Sequence, residues 1–264
     1  MILKAITLEN FRSAENECIH FDPGVNLLYG NNAEGKTNVL EAIYFFARGR
    51  SFRTTRESDL VRFGAEGCGV DIAFTRRGEE ETLGYRYFGG TRRRTKNGVK
   101  VTAREALGVF CAVLFCPDHL SVIKRTPTER REFLNAAIAQ ISPAYVAALG
   151  RHKKLLENKN ALLRCEDGFD RALMESYNEE LAAVSAEILV ARRAYLARLC
   201  ASVTRTVAEI SGGREHVTID YSCDIPAEIS RKEDVTIAYR DLFRTNLARE
   251  TAARMTLFGV QRAD

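Results

Sequence analysis

The stretch Val25–Asn38, VNLLYGNNAEGKTN, decides the fold class that we predict for this chain. Gly30 is followed, after four residues, by Gly35-Lys36-Thr37, which is the GxxxxGK[ST] pattern of phosphate-cradling loops. The apolar residues before Gly30 predict a short buried strand, and the apolar spacing after Lys36 predicts a helix. A strand, a glycine loop and a helix N-terminus direct unpaired backbone N–H groups and the positive end of a helix dipole at one point. The sequence therefore predicts binding of a nucleoside triphosphate.

The composition is that of an ordinary globular protein with one large domain or two. The chain has 264 residues, 45% of them hydrophobic and 28% charged, and a formal net charge of +4. Seven scattered cysteines with no CxxC pair argue against a disulfide framework and a zinc site, and fit a reducing cytoplasm. Neither a signal peptide nor an apolar run long enough to cross a bilayer is evident, so we expect a cytoplasmic protein without a membrane partner.

The first half of the chain has the alternation and the turns of an antiparallel β layer. Arg77-Gly78, Gly89-Gly90 and Asn97-Gly98 are turn signals, and Asn-Gly is a strong hairpin signal. The segments that we predict to be strands are Ile2–Phe11, Cys18–Phe21, Gly69–Thr75, Thr82–Phe88 and, as a buried strand, Ala112–Cys116.

The second half is helical in period and defines an inserted arm. Helices are predicted over Thr128–Ile141, Ala144–Arg164 and Asp170–Ile210, and the last would be about 60 Å long. We therefore predict a nucleotide-binding lobe at 1–125, a helical arm at 126–211 and a return to the lobe at 212–264. The return segment would contain strands at Val217–Tyr221 and Met255–Phe258 and a helix at Val235–Glu250.

Positive charge is concentrated in two segments that could contact phosphate backbones. Residues Arg86–Arg104 carry seven basic residues in nineteen positions and no acidic one, and a second basic group follows the P-loop helix. A hairpin of this kind would hold a duplex without reading its bases, although a solvated surface hairpin is the alternative. The residues predicted to contact DNA are Arg92, Arg93, Arg94, Lys96, Arg50 and Arg53.

Two further motifs bear on ATP hydrolysis. Asp118, after the run AVLFCP, is the only candidate for the second Mg²⁺ carboxylate, and Pro117 before it makes a contact-loop role the stronger interpretation. Ser211-Gly212-Gly213 resembles an ATPase signature, but it follows a long helix, where a C-terminal glycine cap is expected. We therefore expect the chain to bind nucleotide with negligible turnover and assign no catalytic residue.

Several segments together resemble the RecF family, bacterial recombination-repair ATPases whose ABC-type head is related to the heads of SMC and Rad50 proteins. The segments are LENFRS (Leu8–Ser13), YGNNAEGKTN, RGRSFRT (Arg48–Thr54), TKNGVKV, LFCPDHLSVIKRTPTERREFLN (Leu114–Asn135) and LENKNALLR. The resemblance covers almost the whole chain. It implies an α/β fold, namely a P-loop ABC-ATPase-like head with an antiparallel β layer and an inserted helical, coiled-coil-like arm.

The resemblance also implies ligands and partners. ATP and Mg²⁺ would be the cofactors, with Thr37 as the metal ligand. An ATP-dependent homodimer would close on gapped DNA or on single-strand/double-strand junctions, recruit RecR and RecO, and promote RecA loading and SOS induction. The implied ATP contacts are Gly30, Asn31, Asn32, Ala33, Glu34, Gly35, Lys36, Thr37 and Asn38, together with Arg12 and Ser13.

The chain departs from the family pattern near its end. It reads TLFGVQRAD where the family resembles TxxGPHRDD, and the family's signature helix, Walker B strand and last catalytic region are not in the 264 residues. We therefore expect a natural or engineered truncation. A P-loop phosphotransferase for a small metabolite and a head fragment of an SMC-like structural protein are the alternatives. A nucleotide-dependent shift of a gapped-DNA probe distinguishes the first, and an arm that turns back near residue 166 argues against the second.

Overall fold

The structure is a computed structural model that describes residues 1–116, 124, 126–165 and 168–264. The chain divides into two compact units. The first contains Met1–Cys116 and Ala139–Pro143, and the second contains the described residues of Pro117–Ile138 and Ala144–Asp264.

The first unit is built on a six-stranded sheet in the order β2-β1-β3-β4-β5-β6, in which every neighbouring pair is antiparallel. The predicted hairpin turns are confirmed. Asn97 and Gly98 both have positive φ, 49° and 79°, as a two-residue type I′ turn requires. The strands are β1 (Ile2–Phe11), β2 (Ala14–His20), β3 (Gly67–Arg76), β4 (Glu79–Phe88), β5 (Thr91–Lys96) and β6 (Val99–Val101).

The helix predicted after Lys36 is confirmed as α1 (Lys36–Arg48), which covers the apolar face of this sheet and ends at Gly49, whose φ of 76° forms the C-terminal cap. Its residues Ala42, Phe45 and Phe46 are buried in one core with Ile72 and with other apolar side chains of β1, β3 and β4. A short 3₁₀ helix (Glu57–Leu60) and helix α2 (Ala103–Ala106) complete the regular structure of the described part of this unit.

Two predicted buried strands are not strands in the structure. The segment before the glycine loop pairs with no strand among the described residues, and Val25 is 97% exposed. Ala112–Cys116 is likewise unpaired, and Val113 is 99% exposed. Apolar runs of this kind become buried strands only when neighbouring strands satisfy their backbone groups and other elements cover both faces of the sheet. The sequence-based prediction of strand pairing was wrong at both segments.

The second unit is helical, and the three long helices predicted for it are confirmed. The Asp170 carboxylate accepts a hydrogen bond from the Ala172 backbone N–H at 2.8 Å, which caps the start of the longest helix. Gly212, with φ of 62°, caps its end, so Ser211-Gly212-Gly213 is a helix terminus and not the start of a signature helix. The helices of this unit are α3 (Pro127–Ala139), α4 (Pro143–Leu163), α5 (Arg171–Ser211) and α6 (Lys232–Ala253).

The structure groups residues 212–264 with the helices, in contrast to the predicted return to the nucleotide lobe. Helix α6 contains the predicted helical segment, and its Val235, Tyr239 and Phe243 share a core with Leu181 and Ile188 of α5. The strands predicted at Val217–Tyr221 and Met255–Phe258 are absent from this described region, where both segments are irregular. Within the described part of the chain, no helix is long and apolar enough to cross a membrane.

Candidate nucleotide-binding site

The glycine loop contains three residues with positive φ. Gly30, Ala33 and Gly35 have φ values of 143°, 69° and 92°, and the loop passes directly into Lys36, the first residue of α1. The first turn of α1 contains no acidic side chain, so no residue of the helix itself opposes the positive end of its dipole. The loop and helix terminus therefore form an anion-binding concavity.

Lys36 reaches back across this concavity. Its Nζ donates to the Gly30 carbonyl oxygen at 2.9 Å and also to the Asn31 carbonyl oxygen. Thr37 follows Lys36 in the first turn of α1 and is exposed. A cation and a hydroxyl at the mouth of the loop are the donor set that a Mg²⁺-bound triphosphate requires, so these residues fit that ligand.

Glu34 adds a negative charge inside the loop. Its carboxylate accepts from the Asn31 side-chain amide and from the Asn31 backbone N–H, both at 2.7 Å. These hydrogen bonds, that of the side chain first, lower the pKa of the Glu34 carboxyl. The sequence placed Glu34 in the loop, but its contact with a loop amide depends on the folded conformation.

The turn between β1 and β2 brings Arg12 and Ser13 next to the loop. The Asn38 side-chain amide donates to Ser13 Oγ at 2.9 Å, and a Cβ atom on Gly35 would lie 3.3 Å from the same oxygen. Arg12, predicted on the resemblance alone, lies in this region and binds the carboxylate of Glu41. Sequence reasoning missed Glu41, a charged residue among the buried apolar positions of α1, and that position is the signal that could have identified it.

The arginines predicted to contact DNA do not share one surface. In the register of β4 and β5, Arg92, Arg94 and Lys96 are opposite Tyr87, Tyr85 and Leu83, on the face that carries the core. Arg93 is opposite Arg86 on the other face and is exposed. The three consecutive arginines therefore point to two sides of the sheet.

Acidic side chains from outside the segment Arg86–Arg104 neutralise much of this charge. Glu57 lies 2.5 Å from Arg92 Nε and 3.8 Å from Arg94 Nη2. Lys96 Nζ is 3.0 Å from Glu81 Oε2. The sequence does not reveal these acidic partners, because strand register and the fold bring them to the hairpin, and not their position along the chain.

The remaining predicted residues have different surroundings. Arg53 Nη1 lies 2.9 Å from Asn38 Oδ1 and 3.0 Å from Glu41 Oε2, so its guanidinium group belongs to the nucleotide side of the unit. Arg50 is exposed just beyond the end of α1. Asp118, the candidate second Mg²⁺ ligand, lies outside the described residues.

Comparison with known proteins places this geometry in a family. Residues 1–107 match the AAA ATPase domain. The chain is 33% identical, over its whole length and 73% of the relative's, to the DNA replication and repair protein RecF of Ruminiclostridium cellulolyticum. It is 35% identical, over its whole length and 71% of the relative's, to RecF of Symbiobacterium thermophilum. Of the solved structures, RecF-ATP of the RecFOR pathway superposes with a TM-score of 0.93 at 33% identity, covering 100% of this chain and 72% of that one.

The fold and the loop define an α/β P-loop ATPase head with an antiparallel β layer and a helical domain, as predicted. Within that class, the chain belongs to the RecF family.

Proposed function

We propose that this chain is an ATP-binding protein of DNA replication and repair, which binds ATP with Mg²⁺ at Gly30–Asn38 and DNA through exposed basic residues of the first unit. The observation that carries the proposal is the position of Lys36, whose ammonium group lies across a glycine loop that leads into the N-terminus of α1. RecF-ATP, the similar solved structure, supports ATP as the nucleotide.

The residues divide the binding between them. Loop amides would hold the phosphates, the Lys36 ammonium would neutralise the β- and γ-phosphates, and the Thr37 hydroxyl would ligate Mg²⁺. Bound Mg²⁺ supplies charge neutralisation of the phosphate oxygens. Asn31 must release its backbone N–H from Glu34 if that amide is to contact a phosphate.

Family membership supports the rest of the proposal. The DNA would be gapped or carry a single-strand/double-strand junction, and the partners would be RecR, RecO and RecA, with an ATP-dependent homodimer as the DNA-binding form. The protein would act in the cytoplasm. Among the basic residues, Arg93 is the best candidate for a DNA contact, because it is exposed on the outer face of the sheet.

Calorimetry of the 264-residue chain with ATP and Mg²⁺ tests the nucleotide site. We expect Lys36→Ala to weaken binding about 100-fold, since a charge-assisted hydrogen bond to phosphate contributes on the order of 3 kcal/mol. Lys4→Ala, which removes an exposed lysine of β1, is the matched control and should bind as the parent chain does. Equal affinity of the Lys36→Ala and Lys4→Ala variants would refute the site. A nucleotide-dependent shift of gapped DNA separates this function from metabolite phosphotransfer.

A further inference from the structure

We infer that Glu41 is a positioning residue of the nucleotide site, which fixes the guanidinium groups of Arg12 and Arg53 beside the glycine loop. The inference rests on the proposed function, because it assigns the two arginines to the same phosphate ligand. The observation that supports it is that the Glu41 carboxylate, fully buried in α1, binds side chains from two other segments of the first unit.

The carboxylate is bound on both oxygens. Arg12 donates from Nη2 to Glu41 Oε1 at 2.6 Å and from Nε to Oε2 at 3.0 Å, which is the bidentate arrangement of a guanidinium and a carboxylate. Arg53 Nη1 donates to Oε2 at 3.0 Å. Buried Ser51 donates from Oγ to Oε1. A buried carboxylate with this many donors is held in one orientation and so holds its partners in one orientation.

The same network reaches the glycine loop. Arg53 Nη1 also donates to Asn38 Oδ1 at 2.9 Å, and the Asn38 amide donates to Ser13 Oγ at 2.9 Å. Ser13 in turn lies against Gly35, the last loop residue before Lys36. We call Arg12, Ser13, Asn38, Glu41, Ser51 and Arg53 the Glu41 cluster.

The cluster borders an open groove of about 590 Å³, whose lining includes Arg12, Ser13, Asn38 and Arg53. The lining also includes one acidic and one further basic side chain, Asp59 and Arg62. Counted with the buried Glu41, three arginines face two carboxylates, so the groove keeps one net positive charge. Arg12 donates to Glu41 from Nε and Nη2 and to the Asp59 carbonyl oxygen from Nη1. The other two of its five N–H groups have no hydrogen-bond partner among the described residues.

This arrangement suits a phosphate ligand. An arginine that is already ordered loses less rotamer freedom when it binds an anion, and its planar donors match phosphate oxygens. Glu41 itself is buried and cannot touch the nucleotide. It acts through Arg12 and Arg53, and its loss should weaken ATP binding without removing any ligand contact of its own.

Glu41→Gln tests the inference, because it keeps the shape of the side chain and removes the charge that holds both arginines. We expect the Kd for ATP to rise about tenfold, the size of losing one well-placed ionic hydrogen bond. Glu250→Gln is the matched control, since Glu250 is also fully buried and pairs with a cation, Lys159 at 2.7 Å, but lies in the second unit. Its affinity for ATP should be that of the parent chain.

A second measurement separates positioning from general support of the fold. In the background Arg12→Gln/Arg53→Gln, Glu41→Gln should have no further effect on the Kd, because nothing remains to be positioned. If Glu41→Gln raises the Kd for ATP by the same factor in both backgrounds, the inference is overturned. It is also overturned if the single variant folds and binds ATP with the Kd of the parent chain. If Glu41→Gln does not fold, Arg12→Lys/Arg53→Lys keeps both charges without the bidentate geometry, and parent-like affinity of that variant refutes the inference. A parent chain that binds no ATP refutes the proposed function instead.

Discussion

At the residue scale, Glu34 places an anion where a phosphate would bind. Its carboxylate holds the backbone N–H of Asn31, one of the amides that the glycine loop can offer to a ligand. Gly30 makes this contact possible, because a Cβ atom there would come within 2.5 Å of Glu34 Oε2. The loop therefore balances part of its own positive potential before any nucleotide arrives.

We predict that Glu34→Gln binds ATP about fivefold more tightly, since a like charge about 5 Å away in water costs on the order of 1 kcal/mol. The hydrogen bonds from Asn31 lower the pKa of the Glu34 carboxyl, so the group stays charged from pH 5 to pH 8 and the gain should be the same throughout. Calorimetry at both ends of this range measures it. Glu17→Gln, at an exposed position of β2, is the control, and unchanged affinity of Glu34→Gln would disprove the prediction.

At the element scale, the β4–β5 hairpin uses adjacent arginines for different purposes. The Arg94 side chain is only 14% exposed, and its guanidinium lies 5.2 Å from the Tyr85 ring centroid and 5.9 Å from that of Phe45. It covers the edge of the core between the sheet and α1. Arg93, one residue earlier, points to the opposite face.

We predict that Arg94→Ala lowers the free energy of unfolding of the first unit by about 2 kcal/mol, from the lost ring contacts and the partly buried Glu57 left with one fewer partner. Arg93→Ala should change stability by less than about 0.5 kcal/mol. It should weaken binding of gapped DNA and reduce the salt dependence by about one phosphate contact. Urea unfolding measures the stability of both variants, and fluorescence anisotropy measures their binding of gapped DNA. Comparable loss of stability in both variants would contradict the assignment.

How far the sequence predicts each element depends on whether its signal is local. The ends of α1 and α5 and the three hairpin turns follow from glycines and a capping Asp170, which act within a few residues. The segments near Val25 and Val113 are as apolar as real strands, but whether they form strands depends on distant pairing partners.

The same distinction applies to the candidate site. The glycine loop could be predicted from the sequence, because its residues are contiguous. The Glu41 cluster was not, since Arg12 and Arg53 lie 29 and 12 residues from Glu41 along the chain.

At the scale of the whole molecule, each unit combines an apolar core with a buried polar network. In the first unit the apolar side chains lie between the sheet and α1, and the polar network is the Glu41 cluster. The second also buries a polar group around Arg192, which donates to Tyr145 Oη at 3.0 Å, Tyr221 Oη at 2.9 Å and the Val260 carbonyl oxygen at 2.8 Å. These bonds join α4, α5 and the segments on either side of α6. The stability of the second unit therefore depends on buried polar side chains whose charge state is set by the groups around them.

His152 of α4 is buried in the second unit, where the charge of Arg192 acts on it, and we expect this histidine to make the unit sensitive to acid. Burial, and secondarily the positive charge of Arg192, lowers the pKa of the imidazole from 6.5 to about 4. Between these values the unfolded chain binds a proton that the folded chain does not, so the contribution of this group to stability is complete above pH 6.5 and falls as the pH drops toward 4.

We predict that this group lowers the free energy of unfolding by about 2 kcal/mol between pH 7 and pH 5. Urea unfolding followed by circular dichroism at 222 nm, to which the long helices of this unit contribute most, measures the slope. His152→Gln should flatten it, His216→Gln at an exposed site of the same unit should not, and equal slopes for the two variants would show that another group carries the acid sensitivity.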